Sequence, residues 1–224
     1  MKPITTLATS HTPEGVPLHL IHHDRDHYLM LGGNQLMSTD ACASEQTMAE
    51  LACARLPAQP RVLIGGLGFG FTLKRVLELC SSHAVVEVAE LLPQILEWNR
   101  SYLKDINGHL MDDPRVTVKL KDVFDLMDGQ SSTRYHAILL DVDNSPDPLV
   151  QKGNARLYAR PGLARIRESL HPGGRVVFWS ANRDEGFAKS LRLTFSKVEC
   201  IAAKAYSKAK RFSHTLFVAE RPAG

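Results

Sequence analysis

The sequence predicts an α/β fold: a mostly parallel seven-stranded sheet with an antiparallel hairpin at one edge, preceded by a small N-terminal β-hairpin region. Three observations predict it. From Arg61 onward, short apolar runs rich in Val, Ile and Leu alternate with helical stretches, as strands buried on both faces do. The last two strand candidates have no helix between them, which places them as an antiparallel pair. The stretch GGLGFG, residues 65–70, stands where the first of those apolar runs turns into a helix.

The elements follow in order. VPLHLIHHD and DHYLMLGGNQLMST read as short β segments, with Asp24-Arg25-Asp26 as a hairpin tip. They assign residues 1–43 to the N-terminal β-hairpin or small sheet and 44–224 to the ligand-binding α/β unit. SEQTMAELACARL then reads as a helix with Ser44 at its N-cap, stopped by Pro57 and Pro60. RVLIG, AVVEVA, VTVKL, HAILLD and RVVFWS are the strands of the parallel sheet. Helical stretches at 69–80, 92–103, 160–170 and 184–195 lie between them. KVECIAAKAY and HTLFVAE complete the sheet as the edge hairpin.

Composition narrows the function classes. The 224 residues suit one domain with a small appendage, and 44% hydrophobic residues supply a sizeable core. A net charge of +3 is too weak for a nucleic-acid binder, which needs a concentrated basic stripe. Cys42, Cys53, Cys80 and Cys200 form no CxxC pair and read as buried free thiols. The opening MKPITTLATSHTPEGVP lacks the apolar segment of a signal peptide, and no run of about 18 apolar residues occurs. The expectation is a cytoplasmic protein with no membrane partner. His22 and His23 alternate to opposite faces of a strand, so no metal site is expected there.

The glycines at 65, 66, 68 and 70 let a ligand approach backbone N–H groups where strand C-termini meet a helix N-terminus. Carboxylates recur at the same edge. Glu87 is placed to accept from ribose hydroxyls. Asp122 follows the third strand and can accept from an adenine amine, with an apolar side chain near Val88 or Val123 as a wall for the ring. Asp141 and Asp143 end the fourth strand. GGLGFG lacks the GxGxxG spacing of a dinucleotide site and the Lys-Ser/Thr of a P-loop. An adenosine-bearing ligand without phosphates fits better, so S-adenosylmethionine and its decarboxylated form are the expected ligands.

These features resemble the spermidine synthase (polyamine aminopropyltransferase) family. YLMLGGNQLMSTDACASEQTMAEL is similar to its hairpin and helix, and GGLGFG to its GGGDGG turn. DDPRVTV…KDVFDLM, YHAILLDVDNSPDP and LHPGGRVVFWS are similar to its later strands. The resemblance implies a Rossmann-like class I methyltransferase fold and aminopropyl transfer to a small-molecule amine, with no metal. Asp141 is then the base, the family's second acid falls on Asn144, and Gln35, Glu50, Asn144 and Trp179 line the acceptor side; Asp143, one place before Asn144, is the second catalytic candidate, placed to hold a second cationic group or orient the acceptor. The N-terminal hairpin implies a homodimer.

The chain also departs from the family pattern. The aspartate that holds the donor's ammonium is replaced by Gly68, the helix tyrosine by Thr47 and the late glutamine by Trp179. Loss of the acid at Gly68 relaxes the exclusion of a carboxylated donor. That keeps two alternatives open: a methyltransferase using ordinary S-adenosylmethionine, and a nucleoside-binding protein without catalysis. Lys204, Lys208, Lys210 and Arg211 read as a solvated basic segment, which would repel a polycationic acceptor wherever it borders the pocket.

Overall fold

The computed structural model describes residues 3–127, 134–142 and 155–223. Two sheets carry the fold. The first is an antiparallel meander of β1 (Thr5–His11), β2 (Pro17–His23), β3 (Asp26–Leu31) and β4 (Asn34–Ser38). β1 was not expected: TTLATSH carries three β-branched threonines but no apolar alternation to announce a strand, and it is ordered by pairing with β2. Asp24 takes a positive φ of 59° at the β2–β3 turn. Gly32 and Gly33, both at positive φ, form the two-residue turn between β3 and β4 that splits the second expected segment in two. Leu18, Leu20, Leu29 and Leu31 turn inward and join the core of the larger unit.

α1 (Ala43–Cys53) links the sheets. Ser44 lies inside the helix rather than at its cap. Cys42 is the N-cap and makes no side-chain cap bond, while the Ala43 N–H donates to the Ala205 carbonyl at 3.0 Å. The first turn of α1 is thereby tied to the segment after the next-to-last strand.

The second sheet contains β5 (Arg61–Gly65), β6 (Val85–Glu90), β7 (Val116–Leu120), β8 (Tyr135–Leu140), β9 (Leu170–Ser180), β10 (Lys197–Ala203) and β11 (His214–Glu220). Its order is β10-β11-β9-β8-β5-β6-β7, with β11 antiparallel to both β9 and β10 and the other pairs parallel. The helices are α2 (Phe71–Leu79), α3 (Pro93–Ser101), α4 (Lys104–Asn107), α5 (Val123–Leu126), α6 (Ala155–Tyr158), α7 (Arg160–Ser169) and α8 (Glu185–Arg192). No helix among the described residues is long and apolar enough to cross a membrane.

β5 shows why the sheet is covered on both faces. Val62 and Ile64 point into one apolar cluster, with α1, α2, α3 and the first sheet. Leu63 points into the other, with α7 and α8. All three are fully buried, and each such side chain contributes about 1.5–3 kcal/mol of burial free energy. The chain runs outward from β5 through β6 to β7 and then returns to β8 on the other side of β5. The crevice at that reversal, beyond the strand C-termini, is where a ligand enters such a sheet. The four cysteines are free and partly exposed, not buried.

Candidate active site

The turn after β5 is fixed by its neighbours before any ligand is considered. Gly66 donates its N–H to the Ala89 carbonyl, and Asp141 donates its N–H to the Gly65 carbonyl. Gly66 has φ +90°, and a Cβ there would lie 2.3 Å from the Asp141 carbonyl oxygen. Only glycine allows β5 and β8 to converge this closely. Gly68 has φ +50°, and a Cβ there would meet the Met37 thioether, 2.7 Å from its Cε. The space beside Gly68 is therefore filled from β4. Asn99 Nδ2 donates to the Gly68 carbonyl at 2.8 Å, and Asn107 Nδ2 donates to the Phe69 carbonyl.

A cavity of about 470 Å³ opens over this turn. β4 contributes Gln35, Met37 and Ser38, so the N-terminal sheet is one wall of the site. The other sheet contributes Glu90, Asp122, Val123, Asp141 and Trp179 at or just beyond strand ends. α1 contributes Ser44 and Glu45. Ala205 and Tyr206 line it too, so the basic segment does border the cavity, although Lys208, Lys210 and Arg211 are not on its wall.

Of the residues the sequence singled out, Gln35, Gly66, Gly68, Asp122, Val123, Asp141 and Trp179 are brought to this cavity. Gly65, Gly70, Glu50 and Glu87 are not among its lining. Gly65 packs against Leu140, Val123 and Val142, and Gly70 caps α2 in the left-handed conformation. Glu50 pairs with Arg75 at 2.7 Å on the surface. Asp143 and Asn144 lie outside the described residues.

Glu87 is the main departure from expectation. Its carboxylate pairs with Arg61 at 2.9 Å and accepts from the Tyr135 hydroxyl at 3.1 Å. β6 runs to Glu90, one residue past the run AVVEVA, and Glu90 is the carboxylate that reaches the cavity. Side chains alternate along a strand, so residues three apart face opposite sides. Glu90 accepts from the backbone N–H of Leu67 at 3.0 Å and of Leu92 at 2.8 Å, clamping the turn. Burial pushes its carboxyl above the usual range, and those backbone donors oppose the shift.

Asp122 caps α5 by accepting from the Phe124 N–H at 2.8 Å and pairs with Arg156 at 2.6 Å. Its carboxylate thus supports the loop as well as lining the cavity. Trp179 packs against His214 in a tilted arrangement with ring centroids 4.7 Å apart, and burial lowers the His214 pKa, which favours the neutral ring.

Asp141 stands at the end of β8. Burial, and then the charge of Glu45, push its carboxyl up to about 8. Burial raises Glu45 as well, against the hydrogen bond it accepts from the Ser44 hydroxyl. The two acids titrate as a pair in which one holds a proton near neutral pH. Glu45 was missed because helical periodicity alone does not say which face of α1 meets a cavity. Among the described residues, no group of three or more His, Cys, Asp or Glu is placed to hold a metal ion.

Comparisons with known proteins agree on one family. The spermine/spermidine synthase domain matches residues 41–204. Spermidine synthase 1 of Pisum sativum is 29% identical over 143 residues, covering 63% of this chain and 40% of that protein. A polyamine aminopropyltransferase of Pyrobaculum calidifontis is 30% identical over 142 residues, covering 61% of this chain and 47% of that protein. The chain thus spans less than half the length of these relatives. The crystal structure of spermidine synthase from Thermotoga maritima superposes with a TM-score of 0.77 at 17% identity, over 98% of this chain and 74% of that one. A spermidine synthase in complex with the transition-state analogue AdoDATO superposes with a TM-score of 0.76 at 16% identity, over 98% and 73% of the two chains. At these identities the superpositions establish the fold, a Rossmann-like α/β sheet.

Proposed function

The chain belongs to the spermine/spermidine synthase domain family, and from that premise we propose that it transfers an aminopropyl group from decarboxylated S-adenosylmethionine to a small-molecule amine. The observation that carries the proposal is Asp141. It is a carboxylate at a strand end, lining the cavity over the glycine turn, and its proton affinity is raised to near neutral pH.

In this reading the adenosine lies between Glu90, Asp122 and Val123, with Glu90 as the carboxylate available to the ribose. The acceptor nitrogen attacks the carbon beside the sulfonium. A C–N bond forms as the C–S bond breaks, the electron pair stays on sulfur, and 5′-methylthioadenosine leaves as a neutral thioether. The amine's proton passes to Asp141 directly or through one water. A base with a pKa near the working pH suits that step, which contributes about 10²–10⁴-fold. The larger share comes from aligning two reactants in a cavity walled by both sheets. Gln35 and Trp179 lie on the acceptor side, and Asp143 and Asn144 remain part of the proposal. We further propose that the protein works as a cytoplasmic homodimer.

Gly68 favours a second reading, methyl transfer from ordinary S-adenosylmethionine, because no acid at that position repels the donor's carboxylate. Against it stand Glu45 and Asp141, two carboxylates facing the same part of the cavity. Incubation with each donor and a panel of small mono- and diamines, read by mass spectrometry, tests the proposal. Methylthioadenosine together with an aminopropylated amine supports it. S-adenosylhomocysteine with a methylated amine supports the second reading and defeats the first. Binding of both donors without any product leaves a nucleoside-binding protein.

A further inference from the structure

We propose that Glu45, in the first turn of α1, supplies the negative charge that holds the ammonium end of the decarboxylated donor, a charge the glycine turn itself does not carry. The inference rests on the aminopropyl-transfer reading and names the residue that selects the donor.

A narrow recess of about 20 Å³ adjoins the main cavity. Glu45, Asp141, Gly66, Gly68 and Met37 line both spaces, so the recess is where the two join. At Gly68 no side chain projects, and Met37 occupies the room one would need. That end of the cavity is therefore uncharged from the turn side and acidic from the α1 and β8 sides. Glu45 is only 8% exposed. Among the described residues, neither Glu45 nor Asp141 forms an ion pair, in contrast to Glu87, Asp122 and Glu50. Two neighbouring carboxylates, one buried and one largely desolvated, are costly without a cation, and each stays protonated further up the pH scale than usual. An ammonium bound between them removes that cost. The segment that brings Glu45 here is fixed by the Ala43 to Ala205 backbone bond, and the Ser44 hydroxyl orients the Glu45 carboxylate.

A donor whose arm ends in a lone ammonium gains a charge-assisted contact at this recess. Ordinary S-adenosylmethionine brings a carboxylate toward the same two acids and is repelled. The filter that Gly68 relaxes is restored from α1.

Calorimetry with 5′-methylthioadenosine, which has no charged arm, and with decarboxylated and ordinary S-adenosylmethionine tests this on the wild type, Glu45→Gln and Glu45→Asp. Methylthioadenosine affinity is expected to stay within about twofold in both variants. Decarboxylated donor affinity is expected to fall about tenfold or more in Glu45→Gln, to recover partly in Glu45→Asp, and to lose its advantage over the ordinary donor in Glu45→Gln. Equal affinity losses for methylthioadenosine and the decarboxylated donor mean that Glu45 is only structural and overturn the proposal. Unchanged binding of both overturns it too. A wild type that binds none of the three defeats the adenosine-site reading itself, which is a separate result.

Discussion

Replacing Asp141 by asparagine separates two roles of one side chain. In the native protein this carboxyl keeps its proton up to about 8, against an ordinary aspartate value of 3.8. Unfolding exposes it and releases that proton, so rising pH favours the unfolded state between the ordinary value and about 8. The stability held at low pH is lost as pH climbs through this window. At ~1.4 kcal/mol per decade of proton affinity, the gap bounds the effect at about 6 kcal/mol. Glu45 shares the titration, so about 2–3 kcal/mol is expected from Asp141 itself. Urea unfolding of the ligand-free protein between pH 5 and 9, in about one-unit steps, reads this directly. Wild-type stability should fall with pH, and Asp141→Asn should flatten the profile by about 2–3 kcal/mol while retaining methylthioadenosine binding. Aminopropyl transfer by the variant should fall about 10²–10⁴-fold. Parallel pH profiles, or turnover near the wild-type rate, would refute the reasoning.

Other expectations follow from the same geometry. Gly66→Ala forces a Cβ to 2.3 Å from a backbone oxygen at positive φ, so thermal unfolding should show a loss of about 3 kcal/mol or more; a loss below about 1 kcal/mol would mean that β5 and β8 can part freely. Glu87→Gln should cost about 1 kcal/mol through its pair with Arg61 and leave methylthioadenosine affinity within about twofold; a tenfold loss would return Glu87 to the ligand site. Glu90→Ala removes the acceptor that clamps Leu67 and Leu92, so methylthioadenosine affinity should fall at least about tenfold in calorimetry, and an unchanged affinity would remove Glu90 from the site.

The strand pattern from Arg61 onward was legible because a buried parallel strand leaves a continuous apolar run that nothing else in the chain imitates. The turn at 65–70 was legible because its glycines answer to backbone geometry: Gly66 meets the Asp141 carbonyl whether or not a ligand is present. What the sequence hid depended on where an element ends or which way it faces. β6 continues one residue beyond its apolar run, and that residue, Glu90, is the acid at the cavity. Glu87 fitted the expected spacing, but it alternates to the side where Arg61 and Tyr135 wait. Glu45 and Met37 were invisible for another reason. Each comes from an element outside the parallel sheet, and only the docking of β4 and α1 against the turn gives them a role. β1 is hidden in the same way, since its order comes from pairing with β2 and not from its own composition.

The most direct measurement of the central claim is a crystal structure with 5′-methylthioadenosine and a small diamine. The account predicts the nucleoside in the cavity over Gly66 and Gly68, its ribose at Glu90, its adenine beside Asp122 and Val123, and its sulfur facing Asp141. Nucleoside density at Glu87, at another surface, or nowhere in crystals soaked to saturation would contradict it.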